Sequence, residues 1–353
     1  GRRGPSLGAA SPAARGHAAR LVACAAAVSL SGAGARPKRK RRGPVKQGKV
    51  SPMRPVPEQI LRPPYMGPGG PRSPDDGFPD HEYMYDPNFL KRIEVKTPEQ
   101  IARMRAAGAL ARETLEVAGR MVEPGITTEA VDAAVHDFIC SRGAYPSPLG
   151  YMGFPKAICT SVNDVMGHGV PDDRPLEDGD ILNVDVTVYL DGYHGDTSCM
   201  FFAGRPTKRA ALLCETTRKA LNAGVEACGP GKDFREIGQA ISQVVEGTGF
   251  YCNSSLSGHG IGSYFHGAPE VIPTRNIVDQ GVMRPGMTFT IEPVLVENND
   301  PSWVIRPDGW TMQSERGSMS AQFEHTVLIT EEGAEVLTGP PINYRAIAKE
   351  KYE

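Results

Sequence analysis

The chain has 353 residues, about 40% hydrophobic and 23% charged, enough to bury a full core and unlike collagen or a disordered chain. Its net charge of −2 conceals an asymmetry: residues 1–57 hold thirteen Lys and Arg and no acid, which leaves the remainder at −15. An acidic body argues against a general nucleic-acid binder, and no apolar run approaches the roughly eighteen residues of a membrane-spanning helix.

Residues 1–57 are rich in Ala, Gly, Pro and Arg. This stretch reads as an organellar transit peptide rather than a secretory signal, and residues 1 to about 50 are expected to be removed or disordered. The run Lys38-Arg39-Lys40-Arg41-Arg42 belongs to the same presequence. Residues 58–96 continue as a proline-rich extension, in which an extended strap is expected because proline fixes φ and cannot donate to a ladder. The seven cysteines are scattered, odd in number and never spaced as CxxC. That argues against a disulfide scaffold or a cysteine-rich zinc module and points to a reducing compartment.

The folded domain is predicted to run from 97 to 338, with a tail over 339–353. Thr97-Pro98-Glu99-Gln100 is a capping box with proline at the first helical position. Ile101, Met104, Leu110 and Leu115 mark the helix that follows, and Val131, Val135, Phe138 and Ile139 mark a second after Pro124-Gly125. The pattern recurs 106 residues later with Pro230-Gly231 and Ile237, Ile241, Val244 and Val245. Gly179 to Asp185 lines up with Gly286 to Glu292, each a glycine, five strand-like residues and a carboxylate. Gly167-His168-Gly169 also echoes Gly258-His259-Gly260. Two such halves predict a pseudo-twofold domain whose equivalent strands meet at the centre.

Asp191-Gly192 is a hairpin signal. A two-residue turn there sets Thr187 opposite Asp196 and puts Asp185 on the same face. Glu292 ends the alternating strand Thr288-Phe289-Thr290-Ile291, and Glu324 lies in a strand expected over Gln322–Leu328. Carboxylates facing inward are costly unless paired, and four together cannot all stay ionised without cations. Two divalent ions with His259 as nitrogen ligand would resolve this. By spacing alone, turn aspartates and a glycosidase-like carboxylate pair stay open as alternatives.

The strings Asn183-Val184-Asp185-Val186-Thr187, His194-Gly195-Asp196-Thr197-Ser198, Gly258-His259-Gly260-Ile261-Gly262, Thr290-Ile291-Glu292-Pro293 and Gln322-Phe323-Glu324-His325-Thr326 closely resemble those of the methionine aminopeptidases. The resemblance spans residues 97–338 and implies an α+β pita-bread fold, a central antiparallel sheet in pseudo-twofold halves flanked by helices. The 31 residues between Glu292 and Glu324 leave no room for the type 2 insertion, so the likeness is to type 1. Residues 50–65 and Pro146 to Tyr151 are similar to organellar members of plants and algae.

The resemblance further implies that Asp185, Asp196, His259, Glu292 and Glu324 bind two divalent ions, with Asp196 and Glu324 bridging them. Such a set suits Mn²⁺, Fe²⁺, Co²⁺ or Zn²⁺ alike. His168, His266 and Glu292 are the implied catalytic residues, Glu292 as the proton shuttle and His266 stabilising the tetrahedral intermediate. Tyr151, Phe154, Cys159, Phe265 and Trp310 would line the methionine pocket together with His168 and His266. The implied substrates are polypeptide N termini with a small second residue, met by a monomer, with ribosome association a further possibility. Gly167 stands where the family usually has Cys, which would loosen the His168 turn and could widen the space for that second residue. Pro148 replaces a Cys common in bacterial members. Two alternatives stand beside this reading: a non-catalytic pita-bread binding module, which predicts eroded ligands, and an Xaa-Pro metallopeptidase, which needs an extra N-terminal domain.

Overall fold

Thr97 caps the first helix as its sequence demands. Its hydroxyl accepts the Gln100 amide, and the Gln100 side chain accepts the Thr97 amide in return. The computed structural model describes residues 43–67 and 93–347. The presequence over 1–42, the connector over 68–92 and the tail over 348–353 lie outside the described residues.

The first half comprises α1 (Pro98–Met121), α2 (Thr128–Ser141), β1 (Tyr145–Pro146), β2 (Cys159–Val162), β3 (Val165–Gly167), β4 (Asp180–Leu190) and β5 (Tyr193–Ala203). The second repeats the plan with α3 (Lys208–Glu226), α4 (Arg235–Val245), β6 (Tyr251–Asn253), β7 (Gly258–Gly260), β8 (Gly267–Val271), β9 (Thr288–Ile291) and β10 (Val294–Val296). Five short strands complete it: β11 (Trp303–Ile305), β12 (Met312–Ser314), β13 (Ser320–Gln322), β14 (Glu324–Ile329) and β15 (Ala334–Val336).

The main sheet runs β1-β4-β5-β14-β9-β7-β8 and is antiparallel, with β2 added to β4 and β15 to β14. Matching β4 to β9 and β5 to β14 makes this order a palindrome about the β5–β14 pair. That is the pseudo-twofold expected from the repeat. One continuous core joins Leu115, Val135 and Ile139 of the first helices to Val184, Val186 and Phe201 of the sheet, and on to Ile237, Ile241 and Phe289 of the second half. Burying each such side chain contributes roughly 1.5–3 kcal/mol. No helix among the described residues is long and apolar enough to cross a membrane.

The structure departs from the sequence reading in three places. The two Gly-His-Gly strings are not symmetry mates. The strand that flanks β4 as β7 flanks β9 is β2, whereas Gly167 ends β3 in a separate sheet with β11 and β12. The strand expected over 322–328 is two strands: Gln322 ends β13, which pairs with β10, and Glu324 opens β14 in the main sheet. Finally, residues 43–57, read as the end of the presequence, are ordered against the body. The Val45 amide donates to Asp164 at 3.0 Å, Gly48 to Asp172 at 2.8 Å and Lys49 to Asp173 at 2.6 Å. An extended proline-rich chain has no internal hydrogen bonds, so its amides are satisfied by carboxylates of the body. Further along, Ser51 and Arg54 reach Glu129, which also pairs with the buried Lys156.

Candidate active site

The site begins with the β4–β5 hairpin. Asp191 and Gly192 both take positive φ, 49° and 88°, and Leu190 pairs with Tyr193, as a two-residue primed turn requires. Thr187 therefore opposes Asp196, and its hydroxyl donates to the Asp196 carboxylate at 2.6 Å. Asp185 lies two residues back on the same face, between Cys159 on β2 and Ser198 on β5.

The second half supplies the rest. Glu324 opens β14 opposite Ser198, and Glu292 follows β9. His259 sits in β7, its amide donating to the Thr290 hydroxyl. Its glycine neighbours have a steric reason: a Cβ on Gly258 would strike the Thr290 carbonyl, and one on Gly260 the Ala268 carbonyl. Ligand atoms of Asp196, His259 and Glu324 all lie within 4.8 Å of one another. His259 Nε2 is 3.6 Å from Asp196 and 3.7 Å from Glu292. Glu292 is braced by the Thr290 hydroxyl and the Gln322 amide at 3.0 and 3.1 Å.

The electrostatics follow from burial. Asp185 and Glu324 are pushed well above the carboxylate range, first by desolvation and then by their acidic neighbours. Burial also raises Glu292 to about 7, against the pull of His259. For His259, burial works downward, but the Asp196 and Glu292 carboxylates outweigh it and raise its pKa. Among the described residues no Lys or Arg pairs with these four acids. Three strained carboxyls and one imidazole, all oxygen or nitrogen donors, form a set that divalent cations would relieve.

The remaining predicted residues surround this cluster in two groups. Phe154 and Cys159 are buried with Val170 against Trp310, and Phe154 meets the Trp310 ring edge-on at 5.3 Å. His168 adjoins this group, 6.3 Å from Trp310, and adopts a left-handed φ of 51°. Across from it, Tyr151, Phe265 and His266 pack ring against ring at centroid separations of 4.2 to 5.1 Å, and His266 lies 4.2 Å from His259. Burial depresses His168 and, more strongly, His266, where neighbouring imidazoles add to it, so both are neutral. The space beside Gly167 is not open: a Cβ there would meet Leu256 Cδ1 at 2.8 Å.

Four residues of the site were missed in the sequence. Val170 joins the apolar group, and Leu256 faces Gly167. His194 is fully buried, holds a pKa of about 3 through desolvation, and stacks on Phe265 at 5.2 Å. It stands two residues before Asp196, so strand alternation alone placed it on the same face. Ser147 bonds His194 Nδ1 at 2.8 Å and carries no sequence signal.

Comparison with known proteins identifies the family. Residues 102–331 match Metallopeptidase family M24. The chain is 46% identical over 302 residues to methionine aminopeptidase 1D, chloroplastic/mitochondrial, of Arabidopsis thaliana, covering 85% of this chain and 80% of that one. It is also 46% identical over 292 residues to the mitochondrial methionine aminopeptidase 1D of Homo sapiens, covering 83% and 82%. Among solved structures, the methionine aminopeptidase of Rickettsia prowazekii superposes with a TM-score of 0.68 at 40% identity, covering 70% of this chain and all of that one. Prolidase from Pyrococcus furiosus, at 23% identity and a TM-score of 0.55, covers 70% of this chain and 66% of that one and shares the fold alone. The chain has the pita-bread fold and belongs to metallopeptidase family M24, among its methionine aminopeptidases.

Proposed function

We propose that this protein removes the N-terminal methionine from polypeptides whose second residue is small, using two divalent ions held by Asp185, Asp196, His259, Glu292 and Glu324. The observation that carries the proposal is the convergence of four acids and one imidazole from both halves onto one buried face. When bound, the ions would neutralise these carboxylates, polarise the scissile carbonyl and lower the pKa of water.

The chain's own groups account for the remaining steps. Glu292, braced on both oxygens, takes the proton of the attacking water and passes it to the leaving amine. Neutral His266 donates to the developing oxyanion, and His168 contacts the substrate on its leaving side. Phe154, Cys159 and Trp310 hold the methionine thioether, each sulfur–aromatic contact contributing roughly 0.3–1.5 kcal/mol. Tyr151 and Phe265 close the pocket from the His266 side. With Leu256 filling the space beside Gly167, the second residue has little room, and a bulky one would displace the carbonyl; about 1 Å can cost roughly a hundredfold in rate.

The Arg-rich, acid-free N terminus, together with relatives named chloroplastic or mitochondrial, supports action inside an organelle. Hydrolysis of Met-Ala-Ser, Met-Leu-Ser and an Xaa-Pro dipeptide by the metal-supplemented enzyme tests the reading. Only Met-Ala-Ser should be cleaved efficiently. Preference for the Xaa-Pro dipeptide, or no hydrolysis at all, would overturn the proposal, and equal rates on the two Met substrates would overturn the size exclusion.

A further inference from the structure

The N-terminal strap does more than cover the body. Its last described turn, Pro64–Met66, lies against the turn Tyr151–Gly153, with Met66 filling the space beside Gly150. The Tyr65 ring meets Tyr151 edge-on, centroids 4.9 Å apart at 76°, and lies nearly parallel to His194 at 6.3 Å. Its hydroxyl donates to the Ser147 carbonyl, and the Ser147 hydroxyl in turn bonds His194, which stacks on Phe265. Tyr65 is thus wedged behind the aromatic wall that carries Tyr151 and Phe265.

That wall ends on a reacting group. The Tyr151 hydroxyl lies 3.0 Å from His266 Nδ1. A neutral imidazole has one N–H and one acceptor nitrogen, and the partner of one nitrogen decides which carries the proton. With the phenol as donor in this bond, the ring proton sits on Nε2, the nitrogen that would face the substrate. If Tyr151 swings away, that choice is lost and the ring can turn.

We propose that Tyr65 is a positioning residue for catalysis: by buttressing Tyr151 it fixes the orientation and tautomer of His266. The inference rests on reading His266 as a donor to the substrate carbonyl. It makes a segment outside the family-matched residues 102–331 part of the working active site.

The test is a mutant cycle in the full chain loaded with Mn²⁺, assayed on Met-Ala-Ser. Tyr65→Ala should lower kcat about tenfold, less than the roughly hundredfold cost of a 1 Å displacement, with KM changed by less than about twofold. Tyr65→Phe keeps the ring edge and should restore kcat to within about threefold of wild type. Tyr65→Ala placed on Tyr151→Phe should cost less than about twofold beyond Tyr151→Phe alone, because both act through one bond. ¹⁵N NMR of the His266 ring, recorded with diamagnetic Zn²⁺ in place of Mn²⁺, should show the proton on Nε2 in the wild type and a mixture of tautomers in Tyr65→Ala. Should Tyr65→Ala not fold, Tyr65→Leu replaces it, keeping apolar bulk without the ring edge. A Tyr65→Ala enzyme with wild-type kcat, independent losses in the double variant, or a kcat loss matched by lost metal content would overturn the proposal. A wild-type enzyme that leaves Met-Ala-Ser intact would instead overturn the functional reading beneath it.

Discussion

Removing the cations should make the fold sensitive to alkali. Asp185, Glu292 and Glu324 have native pKa values raised above those of the unfolded chain, chiefly by burial. A carboxyl raised in this way destabilises the native state as pH climbs from the unfolded value near 4 through the native one. Each proton kept only by the native state tilts stability by about −1.4 kcal/mol per pH unit. His259, also raised, acts in the same direction. The depressed histidines His168, His194, His266 and His325 act oppositely, but their contribution is nearly complete above their unfolded pKa near 6.5. Between pH 7.0 and 8.5 the carboxyls therefore dominate, at about 2 kcal/mol for each proton that the native state alone still holds. For a folded chain of this size that is a fall in Tm of roughly 3–4 °C per proton. Thermal melts in EDTA and in saturating Mn²⁺ measure it. The metal-free Tm should fall across this window and the metal-loaded Tm should not. A metal-free Tm that is flat or rising would refute the claim that these acids share one buried, uncompensated space.

Asp196→Asn should abolish turnover and reduce bound metal by elemental analysis, whereas His168→Ala should lower turnover and leave metal content unchanged. Deleting residues 1–42 should leave Tm within about 1 °C. Extending the deletion to residue 57 removes the bonds to Asp164, Asp172, Asp173 and Glu129 and should lower Tm by several degrees, at about 1 kcal/mol per bond. Gly167→Cys requires Leu256 to rotate away and should cost about 1–3 kcal/mol by chemical denaturation. The same change should shift the ratio of kcat/KM for Met-Val-Ser over Met-Ala-Ser.

Much of this site was legible because strand alternation is local. Asp191-Gly192 dictated the turn, the turn dictated the Thr187–Asp196 pair, and Asp185 followed at the next same-face position. The same rule pointed at His194, yet a buried histidine beside a candidate ligand has no separate signature in sequence. Residues 43–57 were read as unstructured for a different reason. Proline and arginine composition describes a chain that does not fold alone, but Val45, Gly48 and Lys49 are held by carboxylates 119 to 124 residues away. The Gly-His-Gly echo misled because similar strings can sit in different sheets, and only pairing, β7 on β9 against β2 on β4, reveals which positions correspond. Likewise, nothing in the Gln322–Leu328 alternation marks Phe323 as the point where one sheet hands over to another.

The central claim is that five side chains from two sequence halves form one dinuclear cation site. Crystals grown with Mn²⁺ and measured at its absorption edge test it most directly. Two anomalous peaks should appear, enclosed by Asp185, Asp196, His259, Glu292 and Glu324, with Asp196 and Glu324 touching both. A crystal at saturating Mn²⁺ with no anomalous peak among these residues, or with its peaks elsewhere on the chain, would contradict the account.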